Sequence, residues 1–416
     1  MKIVLNTVIL TIALGLLWHS GALAEGLILH GFLQGNYSAN TENENPDGNE
    51  FKWAEERAQF KLEGYKAEQR FFLKTDVFYD HIDEKADVEV REAYIDSSGG
   101  LWDARIGRQI ITWGVGDLVF INDVFPKDHE AFFSGRPMEY LKKGSDALKV
   151  SAYPEFASFE LVVTPFFEPD NMPRPARFWM YDPMPQVTNR EAKEPAANLK
   201  NTEIALRAYR DLAGFESSFY FYKGFYRTPS MQPDSLSAPT KITLHYPELL
   251  LYGFSLQKSA LDGVVSLEAG YLDSSDDKAG TNPLIPNHQA KVLVAYQRQI
   301  IEDMTMTTQY LGEYMLSYDA YEANRIQGFP KEPEYRQLLS LRLQYLMMSQ
   351  TMRLGWFSFW SPTDKDYLLN PEVRYSFTDN LWGAIGALVY GGRSDTTRFG
   401  SLDKNDNVYT QARYEF

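Results

Sequence analysis

From residue 26 onward the chain alternates apolar and polar residues in runs of about ten. A side-chain period of two belongs to a β-strand, whose successive residues point to opposite faces. Lys52 to Glu63 is the clearest run. Glu55, Arg57, Gln59, Lys61 and Glu63 share one face, and Ala54, Ala58, Phe60 and Leu62 the other. The last run, Asn405 to Phe416, sets Val408, Thr410, Ala412, Tyr414 and Phe416 against Tyr409, Gln411, Arg413 and Glu415. Similar runs span 26–38, 68–80, 87–96, 101–113, 145–153, 157–166, 201–211, 214–226, 246–259, 264–273, 287–299, 304–318, 335–348, 351–360, 366–377 and 381–393. Tight turns such as 64–67, 97–100, 154–156 and 261–263 alternate with long connections such as 114–144, 168–199, 227–245 and 319–334. An edge strand of a soluble sheet would account for any one run, but not for this ordered alternation. The pattern predicts an all-β, antiparallel, up-and-down transmembrane barrel of about 18 strands (16–18), with short periplasmic turns and long outer loops.

The N-terminus adds export. Lys2, an apolar run from Ile3 to Trp18 and the small-residue box Ala22-Leu23-Ala24 read as a cleaved signal over residues 1–24, leaving 25–416 as a single barrel domain. There is no Cys, which removes disulfides, thiolate metal sites and a Cys nucleophile. Aromatics reach 14%, yet the mean hydropathy is only −0.37, and after the leader nothing approaches the roughly 20 apolar residues of a membrane helix. That combination suits a barrel whose strands show lipid on alternate residues only, with aromatic girdles at both interfaces. The net charge of −15 argues against nucleic acid as a partner. The terminal Phe416 on an alternating strand resembles the closing strand of Gram-negative outer-membrane barrels. That likeness implies residence in the outer membrane among lipid and lipopolysaccharide, and recognition of Phe416 by the barrel-assembly machinery.

A barrel of this size encloses water unless something fills it, and no segment ahead of the first strand serves as a plug. The connection 114–144 is too apolar for a solvated loop, with Leu118, Val119, Phe120, Ile121, Val124, Phe125, Phe132 and Phe133. It is expected to fold inward and constrict the pore with Asp117, Asp123, Lys127, Asp128, Arg136, Lys142 and Lys143. The alternative is a loop packed on the outer rim or at a subunit contact. The Pro-rich connection 168–199, with Arg174, Arg177, Phe178 and Trp179, is a second lid. Ile106-Gly107-Arg108-Gln109, Trp113-Gly114, Ile121-Asn122-Asp123, Pro126 and Asp128 form a GRQ…WG…ND…PxD pattern. It resembles a family of proteobacterial outer-membrane porin-like barrels, and the layout is similar to the alginate-export porin. The resemblance implies a passive channel and brings no ligand set with it.

Strand parity supplies the lumen chemistry. Arg336, Arg342, Arg353, Arg374 and Arg413 fall on the inward faces of neighbouring late strands and are expected to form a basic strip. Arg57, Lys61, Arg70, Lys74, Arg91, Arg105 and Arg207 point inward elsewhere, among carboxylates. Arg108 faces lipid unless a bulge intervenes, and Tyr153, Tyr209, Tyr220 and Tyr222 face inward, where they can stack on sugar rings. The strip points to passive diffusion or export of small anionic or polyhydroxylated solutes. A substrate-specific part of an envelope transport system is the alternative, ahead of an outer-membrane hydrolase or a closed structural barrel. No enzyme is expected: His30, His81, His129, His245 and His288 are scattered, with none set beside a Ser on one strand face. No cofactor or metal is expected, and Asp273, Asp276 and Asp277 read as a solvated turn. Direction of transport stays open, as does the choice between monomer and homo-oligomer.

Overall fold

In the computed structural model, which describes residues 25–416, eighteen strands make one closed antiparallel wall. The leader expected over residues 1–24 lies outside the described residues. The wall strands are β1 (Glu25–Asn40), β2 (Phe51–Lys66), β3 (Gln69–Asp80), β4 (Lys85–Ser98), β5 (Trp102–Gln109), β6 (Ser145–Ala152), β7 (Ser158–Thr164), β9 (Glu203–Leu212), β10 (Phe215–Phe225), β13 (Glu248–Ala260), β14 (Gly263–Ser274), β15 (Gln289–Ile301), β16 (Met304–Met315), β17 (Tyr335–Met347), β18 (Met352–Ser361), β19 (Asp366–Ser376), β20 (Leu381–Gly392) and β21 (Asn407–Glu415). The other three, β8 (Arg190–Lys193), β11 (Ser230–Pro233) and β12 (Ile242–His245), form a separate small sheet in what the pattern gave as plain loop.

Each wall strand pairs with its chain neighbours, and β21 returns to β1. Alternation alone would set the closing strand against the first near Leu27 to Leu33, and the seam lies further along. β21 pairs with Phe32 to Asn40, and Phe416 exchanges two backbone hydrogen bonds with Gly31, both 2.9 Å. Gly31 is bare for a reason: a Cβ there would lie 2.7 Å from the Phe416 ring.

Several of the short turns reverse the chain in two residues. Ala213-Gly214 and Leu261-Asp262 have φ of 57°, 80°, 57° and 56°, the left-handed pair that matches strand twist in a tight hairpin. At the other end most connections are long, but 81–84 and 362–365 are short too. β5 stops at Gln109, four residues before the expected end at Trp113.

Outward residues form a lipid belt: Leu33, Phe60, Val77, Ile106, Leu206, Val292, Val294 and Ile385 are all exposed. Exposed aromatics bracket it. Tyr65, Trp102, Phe215 and Tyr375 lie at the turn end, and Tyr271, Tyr314, Tyr335 and Trp360 at the loop end. An apolar band between two aromatic girdles is what a bilayer selects. The inside departs from simple parity. Leu293, Leu311, Leu338, Phe357, Leu368 and Leu388 point inward and are buried. Much of the interior is therefore a packed core instead of a water-filled bore.

Candidate functional site

What buries those inward residues is the connection 110–144. Val119 and Ile121 join the cluster built on β15 to β20, with Val115, Leu118, Phe132 and Phe133 against it. On the opposite side Ile111, Trp113, Val124 and Phe125 pack on Tyr220, Tyr222, Leu249, Leu251 and Leu272. The segment crosses the lumen and touches both walls.

Polar anchors fix it there. Glu268 on β14, 1% exposed, accepts the backbone N–H of Val115 (2.7 Å), Gly116 (3.1 Å) and Asn122 (2.8 Å). Gln309 on β16 both accepts from Asp117 N and donates to Asp117 O, at 2.7 Å each. Asn122 beds on two wall glycines: a Cβ at Gly253 would lie 1.7 Å from Asn122 Oδ1, and one at Gly270 2.6 Å from Ile121. On the return, Tyr390 donates to Phe133 O (2.9 Å) and Gln411 to Gly135 O (2.9 Å). Arg91 donates to Glu139 O and Lys142 O. Gln109 is buried and donates to Ala147 O at 2.9 Å, so the GRQ residues close the strand from which the loop departs.

The seven loop residues expected at a constriction fall into three groups. Asp123, Lys127, Asp128 and Arg136 hold the loop together. Lys127 is buried and pairs with Asp123 at 3.1 Å; burial pulls its ammonium below the usual lysine range, against the attraction of Asp123. Asp128 caps the helix His129–Phe133 through Ala131 N. Arg136 is buried over Trp53 and Tyr140. Lys142 bonds Asp123 at 2.7 Å, and Lys143 bonds Glu168 at 3.0 Å, both on the loop's half-exposed side. Asp117 meets the wall: Arg342 Nη2 donates to its Oδ1 at 3.0 Å. The second lid also reaches inward. Arg174 bonds Glu130 (3.0 Å) and Asp83 (2.8 Å), Arg177 bonds Asp80 (2.9 Å), and Phe178 is in the apolar cluster.

Four of the five strip arginines meet around one cavity. Arg342, Arg353, Arg374 and Arg413, joined by Arg136 from the loop, line a space of about 290 Å³ together with Glu139, Glu372, Trp356, Trp382 and Tyr409. Arg336 is a correction. It lies on the loop-end side, bonded to Glu332 (2.7 Å) and Asp364 (2.8 Å), in a different recess. Five residues of strand separate it from Arg342, which places the two on opposite sides of the inserted loop. The strip is also partly neutralised: Arg353 bonds Glu372 at 2.8 Å, and Arg413 bonds Gln34 (2.8 Å) and Glu139. Arg413 therefore ties loop to wall besides lining the cavity. Arg374 is different. It stacks on Trp382 at 3.7 Å and has no carboxylate within 4 Å among the described residues.

The remaining inward cations are mostly spent on the wall. Arg57 is buried between Glu55 and Asp76, and Arg91 is taken up by the loop. Lys61 and Arg70 share Glu63, Lys74 faces Glu92 at 3.9 Å, Arg105 bonds Asp96, and Arg207 lies over Tyr209. Arg108 sits opposite Ala93 and Asp146 on the outward face, where it donates to Val90 O beside a bulge in β4. Tyr220 and Tyr222 are buried, bonded to Ser255 and Glu203, and not free for stacking. His129 faces Asp170 at 3.4 Å, with no nucleophile bonded to it among the described residues. Asp276 and Asp277 accept different backbone N–H groups, and no metal-ligating cluster occurs among the described residues.

Glu268, Gln309, Glu139 and Trp382 escaped the pattern, whereas parity does place Glu372 inward opposite the arginines. Glu268 was findable as the lone acid on an inward face of β14; its three backbone partners carry no side-chain signal.

No protein-family model matches the chain, and no curated protein does. Solved structures match in fold. Acinetobacter baumannii OccAB3 is 10% identical, with a TM-score of 0.55 over 94% of this chain and 99% of that one. Pseudomonas aeruginosa OccK2 in complex with glucuronate is 9% identical, TM-score 0.56, over 95% and 99%. Pseudomonas aeruginosa OpdK with vanillate is 8% identical, TM-score 0.54, over 95% and 100%. The chain shares the architecture of these structures over nearly its whole length: it is a closed, eighteen-stranded antiparallel β-barrel of the same fold.

Proposed function

We propose that the protein is a passive channel for small anionic solutes, narrowed by the connection 110–144. One observation carries this: five arginines, Arg136, Arg342, Arg353, Arg374 and Arg413, surround one water-accessible cavity with only Glu139 and Glu372 among them. A low-dielectric wall strengthens such a field, and guanidinium groups suit carboxylates. Arg374, stacked on Trp382 and with no carboxylate partner among the described residues, is the cation best placed to meet a passing anion. Structures of OccK2 with glucuronate and OpdK with vanillate support the same solute class for this fold. The likeness to the GRQ…WG…ND…PxD family and the alginate-export porin belongs to this reading, since the GRQ residues close the strand from which the inserted loop departs and the other motif residues lie in that loop.

A second reading, a closed structural barrel, is favoured by the two apolar clusters that fill mid-lumen. Planar-bilayer recording separates the two. The refolded protein in a KCl gradient is expected to conduct with anion selectivity, and Arg353→Glu with Arg374→Glu is expected to reverse its sign. A conducting channel that prefers cations and ignores those substitutions overturns the anion reading, and a silent one supports the closed barrel.

A further inference from the structure

Two recesses adjoin on the outer face where the long connections meet. One, of about 280 Å³, is walled by Tyr181, Met231, Ile326, Phe329 and Pro330. The other, of about 350 Å³, leads past Arg398 to Lys291, Glu313 and Arg336 inside the barrel. Pro283, Tyr321 and Glu332 line both. The apolar recess is part of a built structure. Met231 and Phe329 pack on Met184, Val187 and Ile242, the core under the small outer sheet.

Glu332 stands at the junction. Its backbone is fixed by two tyrosines: its N–H donates to Tyr321 Oη (2.9 Å), and Tyr318 Oη donates to its carbonyl (3.0 Å). Its carboxylate, nearly half exposed, accepts from Arg336 Nη2 at 2.7 Å. Arg336 has a second, buried partner, with its Nε on Asp364 at 2.8 Å. Arg336 is thus held in place by Asp364 while its outer nitrogen is covered by a group that water can displace. The Arg336–Glu332 pair, with its exposed carboxylate, exchanges readily. Arg398 is 41% exposed, and its guanidinium pairs with the largely buried Glu313 at 3.1 Å.

We propose that this junction is a capture site for a small amphiphilic carboxylate with a short aliphatic tail. The tail lies among Met231, Ile326 and Phe329, and the carboxylate takes the place of Glu332 on Arg336 Nη2, with Arg398 beside it. Glu332 is then a built-in competitor that keeps retention weak enough for the solute to move on toward Lys291. Burial of the tail supplies the affinity and the guanidinium groups set the orientation. The proposal rests on the anion-channel reading for the sign of the solute.

The test is isothermal titration of hexanoate into the whole protein in lipid nanodiscs, with acetate and hexanamide as controls. Hexanoate is expected to bind at least about tenfold more tightly than either control, since only it carries both tail and charge. Met231→Ala with Phe329→Ala should reduce it to the level of acetate, Arg398→Gln should weaken it, and Glu332→Gln should tighten it several-fold. Glu332 is on the surface, so its variant folds. Hexanoate binding no better than acetate, or weakening on Glu332→Gln, overturns the proposal. Reversal potentials of the same protein read the channel independently. Anion selectivity with equal binding of hexanoate and acetate refutes the capture site alone, whereas tight, tail-dependent binding to a cation-selective barrel refutes the channel reading and leaves the site standing.

Discussion

Glu268 is a single carboxylate with three backbone N–H donors and no cation bonded to it among the described residues, held inside the barrel by the loop it holds. Glu268→Ala leaves three donors without their acceptor, one buried and two part-buried, at up to about 1–3 kcal/mol each unless the loop moves to water. Loop release is the expected outcome, seen as a larger single-channel conductance and an earlier urea midpoint. Glu268→Gln keeps one acceptor oxygen and should fall between. Asp83, in the short outer connection 81–84, gives a pH signature. Burial alone would raise its pKa, but hydrogen bonds and charge from Arg174 and Arg177 overcome that and lower it. A carboxylate whose folded pKa lies below its unfolded value, about 3.9, binds more protons when unfolded. Its contribution is present above that value and disappears as pH falls through the lower, folded one. Thermal stability should therefore drop below about pH 4, and Asp83→Asn should flatten that drop. A melting curve series for both proteins from neutral to acid pH decides it.

At the scale of elements, the wall was legible and its contents were not. Every wall strand announced itself because one face had to meet lipid, and lipid tolerates no exception to the period of two. The inward face obeys no such rule. Leu293, Leu311 and Leu388 occupy positions that alternation marks as wet, because a loop from elsewhere in the chain covers them. The same blindness applies to the arginines. Parity places Arg336 and Arg342 on one face of β17, but only the inserted loop, tied between them at Asp117, assigns them to separate recesses. β8, β11 and β12 are four residues each, too short for a period to be read, and the parallel pairing of β8 with β12 joins distant segments. The loop itself was legible as apolar, since eight large hydrophobic residues between two strands must find cover.

The whole molecule is therefore two structures in one: an outer surface solvated by hydrocarbon and an interior with a core like that of a globular protein. The belt makes a plain prediction. Val294, exposed at the middle of β15, should tolerate Leu, whereas Val294→Arg should cost about 2–4 kcal/mol of stability in lipid vesicles. The inserted loop also has a consequence in time. Its partners come late in the chain, with Asp117 meeting Gln309 and Arg342, and Phe133 meeting Tyr390, 192 to 257 residues away. Such separations make for slow, topology-limited folding. A finished cylinder offers no doorway for a segment bonded to both of its sides. The loop must already be in place while β14 to β21 are being laid down, and the hydrogen bonds between Phe416 and Gly31 shut the seam over it. Order of assembly is thus written into the geometry: the wall is wound around its contents, and the final residue is the last to fasten.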